Sequence, residues 1–556
     1  MTPAQQREDS PPVRAPHEDR SASPLRRAAA RRPGRGWLRE LRALPAEHWP
    51  FAALLLAATA LRGVVMAGYP PAMFFNDSYN YVTDAVTMQP DVVRANGYPF
   101  FLRLLLRFHS LALVTGLQAL MGLAMAVAIY ALLRRRGLPW WGATIPALPV
   151  LFDAWQLQLE HLVAADTLFT SLVVAALVLL CWWERPPLWA LVVAGLLVGY
   201  AATVRGTGEP LLIVFLVGLF FRRVGWRRLL ATLIAGAVPI AGYMAWFHLS
   251  YGRYAITESS GTFLYSRVSS FAECSAMSLP PSERVLCDPR PPGKRGSSQE
   301  YLWANDTPLG ALTGTNNIYR FTPHIESLTG GFAEHAIESQ PLDYVAVVGD
   351  DTWRTFGWRR YQSDLAGSGY LFRFETTVAP VPTWVTTNPA NLAAIRQYGG
   401  PSLGRPTVVQ PWARFLQFYE EHVYLRGPFL GLFLLTGLGG VLLAARRRRA
   451  GDQVRASWGW GGPGLLPWLV GAALIVIPPM TAGFSYRYVL AAVPATCLAA
   501  GLAFAGRGSL TRWLRDRPPL RHGARTSQPA STSQPASTSV CGGDSPRPAS
   551  VPGQEG

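Results

Sequence analysis

Residues 50–81 read PFAALLLAATALRGVVMAGYPPAMFFNDSYNY. The first part is an apolar run of the length a helix needs to cross a bilayer core, about 20 residues. Arg62 is its one charge. Asp77 follows among Phe74, Phe75, Tyr79 and Tyr81. A span that delivers a carboxylate into an aromatic cluster at the membrane surface sets the reading of the whole chain.

Length alone, 556 residues, suggests about three or four soluble domains. Composition argues against them. Apolar residues make up 49% and charged residues 15%, against about a quarter charged in soluble domains. Net charge is +17, and 50 of the 51 basic residues are Arg, Lys294 being the exception. The Arg residues fall in short clusters between long apolar runs, not on one polar domain, so nucleic acid is not the expected partner. A soluble enzyme, a disordered chain and a disulfide mini-protein are excluded. An all-α polytopic membrane protein remains.

Ten stretches qualify as spans: 50–68, 111–133, 138–156, 162–183, 188–204, 209–221, 229–249, 427–445, 464–483 and 486–506. Their period is not the alternation of a barrel. With the N-terminus inside, Arg134 to Arg136, Arg185, Arg222, Arg223, Arg227, Arg228 and Arg446 to Arg449 all fall on the inner side, as cytoplasmic loops require. The outer segments are balanced: 69–110 carries three Arg and three Asp, and 250–426 carries 15 basic and 16 acidic residues. The expectation is a multi-pass protein of the cytoplasmic membrane with both termini cytoplasmic.

The domain reading follows. Residues 1–48 are a disordered basic tail, too polar for a signal peptide. Residues 49–249 form a seven-span module with its first outer loop at 69–110. Residues 250–426 are a large extracytoplasmic segment, long enough for a domain of its own. Residues 427–506 add three spans, and 507–556 are a second disordered tail with a duplicated Thr-Ser-Gln-Pro-Ala-Ser unit at 526–531 and 532–537. Cys181 and Cys497 lie in spans as apolar fillers. Cys274 and Cys287 fall in the outer segment, where oxidising conditions permit a bridge, and a disulfide closing that short loop is predicted, with two free thiols as the alternative. No Cys or His cluster has zinc-finger spacing.

Polar groups at the outer span ends are the candidate chemistry, because ionisable residues at membrane depth are costly. Asp77 can accept a proton from a hydroxyl, or simply cap a helix. Asp84 shares its face if the stretch is helical. Glu160 and His161, with Asp166 beyond, sit in a short outer turn. They suit a substrate hydroxyl, a phosphate or a divalent cation, or are only a polar turn. Arg62, Arg205 and Arg487 stand where the positive-inside bias disfavours them. Guanidinium groups match phosphate oxygens, and internal ion pairing, such as Arg205 with Glu209, is the alternative. Residues 84–110, with Gly97-Tyr98-Pro99, read as short helices on the membrane surface. No glycine-rich phosphate loop opens a helix on the inner side.

This arrangement resembles the membrane glycosyltransferases of the GT-C fold, including protein O-mannosyltransferases and aminoarabinose transferases. The resemblance rests on Arg62, Asp77-Ser78-Tyr79 with Tyr81, Gly97-Tyr98-Pro99, Gln118, the Glu160 to Asp166 turn, Arg205, and Arg487-Tyr488 with Pro494. It covers roughly 50–250 and, more loosely, 427–506. It implies inverting transfer of a sugar from a polyprenyl-phosphate carrier to a glycan, lipid or protein acceptor at the outer leaflet. Asp77 matches the family's catalytic carboxylate. Glu160 and Asp166 match its second acidic region, and Arg62, Tyr81, His161, Arg205 and Arg487 complete the expected substrate-binding set. Relatives often carry paired acids at the first position, whereas Asn76 precedes Asp77 here, so the use of a divalent cation stays open. A lipid or sugar transporter or flippase, and a non-catalytic membrane assembly partner, are the competing readings.

Overall fold

The computed structural model describes residues 36–314, 317–360, 373–378, 380–400, 406–449 and 458–505. The tail readings for 1–35 and 506–556 lie outside the described residues. Among those described, secondary structure is helical apart from one bridge between Met73 and Leu162. The first helix, α1 (Gly36–Gly68), starts within the stretch assigned to the N-terminal tail. Residues 36–48 are mostly Leu, Arg, Ala and Glu, good helix formers that extend the span backwards.

Two short helices follow, α2 (Asn76–Thr87) and α3 (Gly97–Leu105), and then the long α4 (Leu111–Arg135). The expected span 138–156 is shorter and broken. It comprises α5 (Trp140–Thr144), a 3-10 turn at Ile145–Ala147 and α6 (Leu148–Phe152). Pro146 and Pro149 supply no backbone N–H to a continuous ladder. Asp153 then turns the chain, with ψ 119°, and its carboxylate accepts from the amides of Trp155 and Gln156. That cap starts a separate helix, α7 (Ala154–His161). Glu160 and His161 therefore lie on a helix and not in a tight turn.

The bundle continues with α8 (Ala165–Cys181), α9 (Leu188–Val204), α10 (Glu209–Phe221) and α11 (Trp226–Tyr251). The segment between the two groups of apolar helices contains α12 (Ser260–Val268), α13 (Ser298–Trp303), α14 (Pro308–Thr313), α15 (Pro323–Ser339), α16 (Pro341–Arg354), α17 (Thr383–Thr386), α18 (Pro389–Gly399) and α19 (Trp412–His422). The last group is α20 (Gly427–Arg449), α21 (Leu465–Thr481), α22 (Tyr486–Leu490) and α23 (Val493–Leu502).

Among the described residues, four helical stretches are long and apolar enough to cross a membrane: 47–68, 111–135, 226–251 and 427–448. Six shorter apolar stretches, 140–152, 165–181, 188–204, 206–221, 465–481 and 486–502, stand beside them. Together they fall on the ten stretches expected from hydropathy. A helix of 17 residues rises about 25 Å, somewhat short of a hydrocarbon core of about 30 Å. By its helix hydropathy this is a multi-pass membrane protein.

The bundle has two chemically different ends. At one, Arg136 donates to the carbonyl of Cys181 at the close of α8. Arg222 donates to Leu180 and Trp183. The two guanidinium groups lie 4.2 and 4.8 Å from the ring centre of Trp458. At the other, the loop after α1 pairs with the end of α7: Met73 donates to His161 at 3.0 Å, and Val163 donates to Met73 at 3.1 Å. Asp77 and the 158–161 stretch thus belong to the same end.

Residues 250–426 share one compact unit with the apolar helices on either side. Tyr265, Phe271 and Phe332 form part of a core of their own, beside the Cys274–Cys287 disulfide with its Cα–Cα distance of 6.0 Å. Arg267 pairs with Asp351 at 2.9 Å, and Tyr344 donates to the carbonyl of Met480 in α21 at 2.9 Å. On the other side, α17 and α18 cover α2 and α3: Tyr398 of α18 donates to Leu102 at 3.1 Å, and Trp384 of α17 meets the edge of Tyr79.

Close helix approach here depends on small residues, as expected where lipid offers little drive for association. A Cβ on Gly199 of α9 would collide with the backbone of Gly236 in α11, whereas Gly242 of α11 has open space. Gly199→Leu should therefore lower the thermal unfolding midpoint in detergent, by the equivalent of at least about 1–3 kcal/mol of overpacking. Gly242→Leu should leave the midpoint unchanged.

Candidate functional site: a buried chain of alternating charges

The site is built from five places in the sequence. Asp77 lies in the first turn of α2, where the helix N-terminus favours a carboxylate. Asp166 holds the same position in α8. Arg205 follows the last residue of α9, and Arg487 lies in α22. Arg487 joins the two acids. Its Nη1 is 3.1 Å from Asp77, while its Nε and Nη2 lie 2.8 and 2.7 Å from Asp166. Arg205 pairs with the other oxygen of Asp166. Arg94, in the loop before α3, holds the far side of Asp77 through Nε and Nη2 at 2.8 and 2.7 Å. The order is Arg94, Asp77, Arg487, Asp166, Arg205.

Burial grades along this chain. Asp166 is 3% exposed and Asp77 is 16% exposed, so Asp77 is the carboxylate that solvent or substrate can reach. Burial alone would raise the Asp77 carboxyl, but the Arg94 and Arg487 charges outweigh it and hold the group below the ordinary carboxylate range. Aromatic rings close the cationic side. Arg487 lies 5.2 Å from the Phe75 ring centre, and Arg205 lies 5.0 Å from Tyr488 and 5.7 Å from Phe169. Tyr81 is buried one helical turn from Asp77, edge-on to Tyr98, and burial with the Asp77 charge raises its hydroxyl.

Arg62 and Glu160 are not in this chain; they form a second assembly. The guanidinium and carboxylate meet in two bonds of 2.7 and 2.9 Å, with side chains 4% and 2% exposed. Arg62 also donates to the carbonyls of Ala58 and Leu151, and Glu160 accepts from Gln156. The carboxylate occupies the space that a side chain on Gly122 of α4 would need. The donors of Arg62 are taken up by Glu160 and by backbone carbonyls, which makes the pair a clamp between α1, α4 and α7. His161 donates from Nε2 to the carbonyl of Tyr69 at 2.8 Å, and burial pushes it down to about 4, so it is neutral at physiological pH. Gln118 ties the same region together, donating to the carbonyls of Glu160 and Leu162 and accepting from Tyr98.

Four of the expected site residues are thus brought into direct contact: Asp77, Asp166, Arg205 and Arg487. Tyr81 stands beside them, and Arg62, Glu160 and His161 are engaged elsewhere. Arg205 pairs with Asp166 and not with Glu209. Arg94 was missed. Its signal was the one that drew attention to Arg205, an arginine in a segment read as outer, where the positive-inside bias disfavours it. Among the described residues no three His, Cys, Asp or Glu side chains gather as a metal cage would require.

Asp84 and Asp91 lie near the network. Asp91 is 3.7 Å from Arg94, and one Asp84 oxygen is buried without a partner. Burial and then the charge of Asp91 raise the Asp84 carboxyl well above its ordinary value. The folded state then binds a proton that the unfolded chain releases, so stability falls as pH rises from the ordinary carboxylate range through the raised value. Asp84→Asn should lessen that loss and raise the unfolding midpoint at neutral pH. A pH scan of the midpoint for both proteins checks it, and equal slopes would contradict it. Glu160→Ala strands the Arg62 charge and should cost about 3–5 kcal/mol of stability, read as loss of folded protein in detergent.

No family model and no curated protein matches the chain. Two solved structures of the oligosaccharyltransferase from Archaeoglobus fulgidus are similar to it. One is tethered with an acceptor peptide through a disulfide bond. It is 14% identical, with a TM-score of 0.38 over 85% of this chain and 52% of that one. The other, in complex with an inhibitory peptide and a dolichol-phosphate, is 14% identical, with a TM-score of 0.38 over 86% of this chain and 53% of that one. The chain spans about half the length of these proteins. At that identity and TM-score the likeness fixes neither fold nor function.

Proposed function

We propose that the protein is a GT-C-like membrane glycosyltransferase. It moves a sugar from a polyprenyl-phosphate carrier to an acceptor hydroxyl at the outer face of the cytoplasmic membrane, with inversion. The observation that carries the reading is Arg487 shared between Asp77 and Asp166, with Arg94 and Arg205 on either side.

The chemistry follows from the charges. A lipid-phosphate donor brings an anion to three guanidinium groups already facing carboxylates. Phosphate oxygens accept bidentate bonds in the same way and compete for Arg487 and Arg205. Drawing Arg487 away from Asp77 removes one of the two charges that depress its carboxyl, and its proton affinity rises as the donor seats. The acceptor hydroxyl then gives its proton to Asp77 and its oxygen forms the new bond to the anomeric carbon. The bond from that carbon to the phosphate oxygen breaks, and the electron pair leaves with the phosphate. Fixed cations aimed at that oxygen favour the transition state over the ground state. Tyr81 and the rings around Arg205 and Arg487 offer apolar surface to the sugar and keep water out.

The test is reconstitution of the full chain with radiolabelled polyprenyl-phosphate mannose, arabinose or glucose. Asp77→Asn should lower transfer by at least about 100-fold while donor binding persists. Arg487→Gln should weaken donor binding and move the acid limb of kcat/KM to higher pH, because Asp77 loses one of its two cations. Lipid-sugar movement across the bilayer that is indifferent to Asp77 would favour a transporter and overturn the proposal.

A further inference from the structure

A second site lies at the opposite, Arg-rich end of the bundle. A cleft of about 720 Å³ opens where the end of α10, the start of α11 and the end of α20 meet. That volume falls in the range of small-molecule sites, about 300–1,000 Å³. Its polar lining includes Arg223 and Arg448, and its apolar lining includes Phe221, Trp226, Leu229 and Trp460. Neither Arg has a carboxylate partner among the described residues. At the same end Arg134 pairs with Glu47, and Arg136 and Arg222 serve backbone carbonyls; of the arginines there without a carboxylate partner among the described residues, Arg223 and Arg448 are those that line the cleft. The N-cap of α11 is Gly225, which supplies no capping side chain, and it too lines the cleft. Two unpaired guanidinium groups and an uncapped helix start therefore face one space.

We infer that this cleft binds the phosphodiester head group of an anionic membrane phospholipid, such as phosphatidylglycerol. A lipid is favoured over free phosphate by what adjoins the cleft. The two long apolar helices leading from it, α11 and α20, are each only 22% buried along their most apolar stretch. Directly below the cleft α11 exposes Leu230, Leu233 and Ile234, and α20 exposes Leu442 and Leu443. A head group held by Arg223 and Arg448 would thus have its acyl chains along ready-made apolar tracks. Trp226, 69% exposed, stands at the rim, the position interfacial tryptophans take. Basic clefts between membrane helices are a recognised kind of head-group site.

Native mass spectrometry of the full chain released from detergent, with phosphatidylglycerol and phosphatidylcholine in competition, tests this. The expected result is retention of one phosphatidylglycerol with a preference of about tenfold or more, since each Arg near the head group contributes about fivefold. Arg223→Gln with Arg448→Gln should abolish the preference. Leu229→Trp, which fills the cleft and leaves the charges, should also abolish it. Arg446→Gln with Arg447→Gln, next to the cleft but not lining it, should keep it. Excess inorganic phosphate should not displace the lipid. Equal retention of both lipids would overturn the inference, as would a preference that survives the first two variants, equal loss in the control, or displacement by inorganic phosphate. If one of the first two variants does not fold, the other decides.

Discussion

One guanidinium group holds the candidate site together. Arg487 lies between Asp77 and Asp166, residues that belong to different helices and are separated from it by 410 and 321 positions. A cation this buried is stable only with its charge met on each side. Placing it therefore fixes the loop after α1, the start of α8 and the turn before α23 relative to one another. The balance is close. Arg94, Arg487 and Arg205 face Asp77 and Asp166, and Asp91, 3.7 Å from Arg94, supplies the third negative charge. An anion that reaches Arg487 takes bonds from a carboxylate that already has them. Under the proposed function, binding at Arg487 and the release of Asp77 are then one event.

Two of the buried acid–guanidinium assemblies show why one of them is a clamp and the other a candidate site. Arg62 has Glu160 and backbone carbonyls around its guanidinium, and Glu160 has Gln156 as well. Their hydrogen-bonding capacity is used by protein. Arg205 has Asp166 as its acceptor among the described residues and is otherwise faced by the rings of Tyr488 and Phe169. A ring stabilises a cation without occupying its N–H donors. A guanidinium group lodged between one carboxylate and aromatic surface can still accept phosphate. Residue type was the same in both cases, and the difference lies wholly in the second set of contacts.

What was legible in the sequence follows from the same distinction. Hydropathy and Arg placement are properties of single stretches, so the positions of ten apolar segments could be read directly, as could the gathering of Arg134 to Arg136 and Arg222 at one end. The break at Pro146, Pro149 and Asp153 was present in the letters. It was smoothed over because an apolar average does not register a missing N–H or a cap. Pairing between distant residues was beyond reach. Arg62 and Glu160, 98 positions apart, each looked like a substrate group because nothing local announces that they satisfy one another. Arg94 was hidden for the opposite reason: three Asp and three Arg in 69–110 sum to zero, and a sum conceals geometry.

Arginine serves both ends of this bundle, and its surroundings there differ in kind. At the Arg-rich end, Arg135, Arg136 and Arg222 donate to the carbonyls that close α8 and the turn after it, with Trp182 and Trp458 beneath them. These are the orphan acceptors of a helix C-terminus, where cations are favoured by the backbone dipole. At the Asp77 end, α2 and α8 begin, and their N-termini favour anions. Arg487 there is held by Asp77 and Asp166 beside the Phe75 ring, and Arg205, just past the end of α9, by Asp166 beside the Tyr488 and Phe169 rings. The direction in which α8 runs thus assigns different work to the same side chain. At its last turn Arg completes backbone bonds. At its first turn Arg pairs with two carboxylates, and under the proposed function an incoming phosphate, which the helix N-terminus also favours, competes with both.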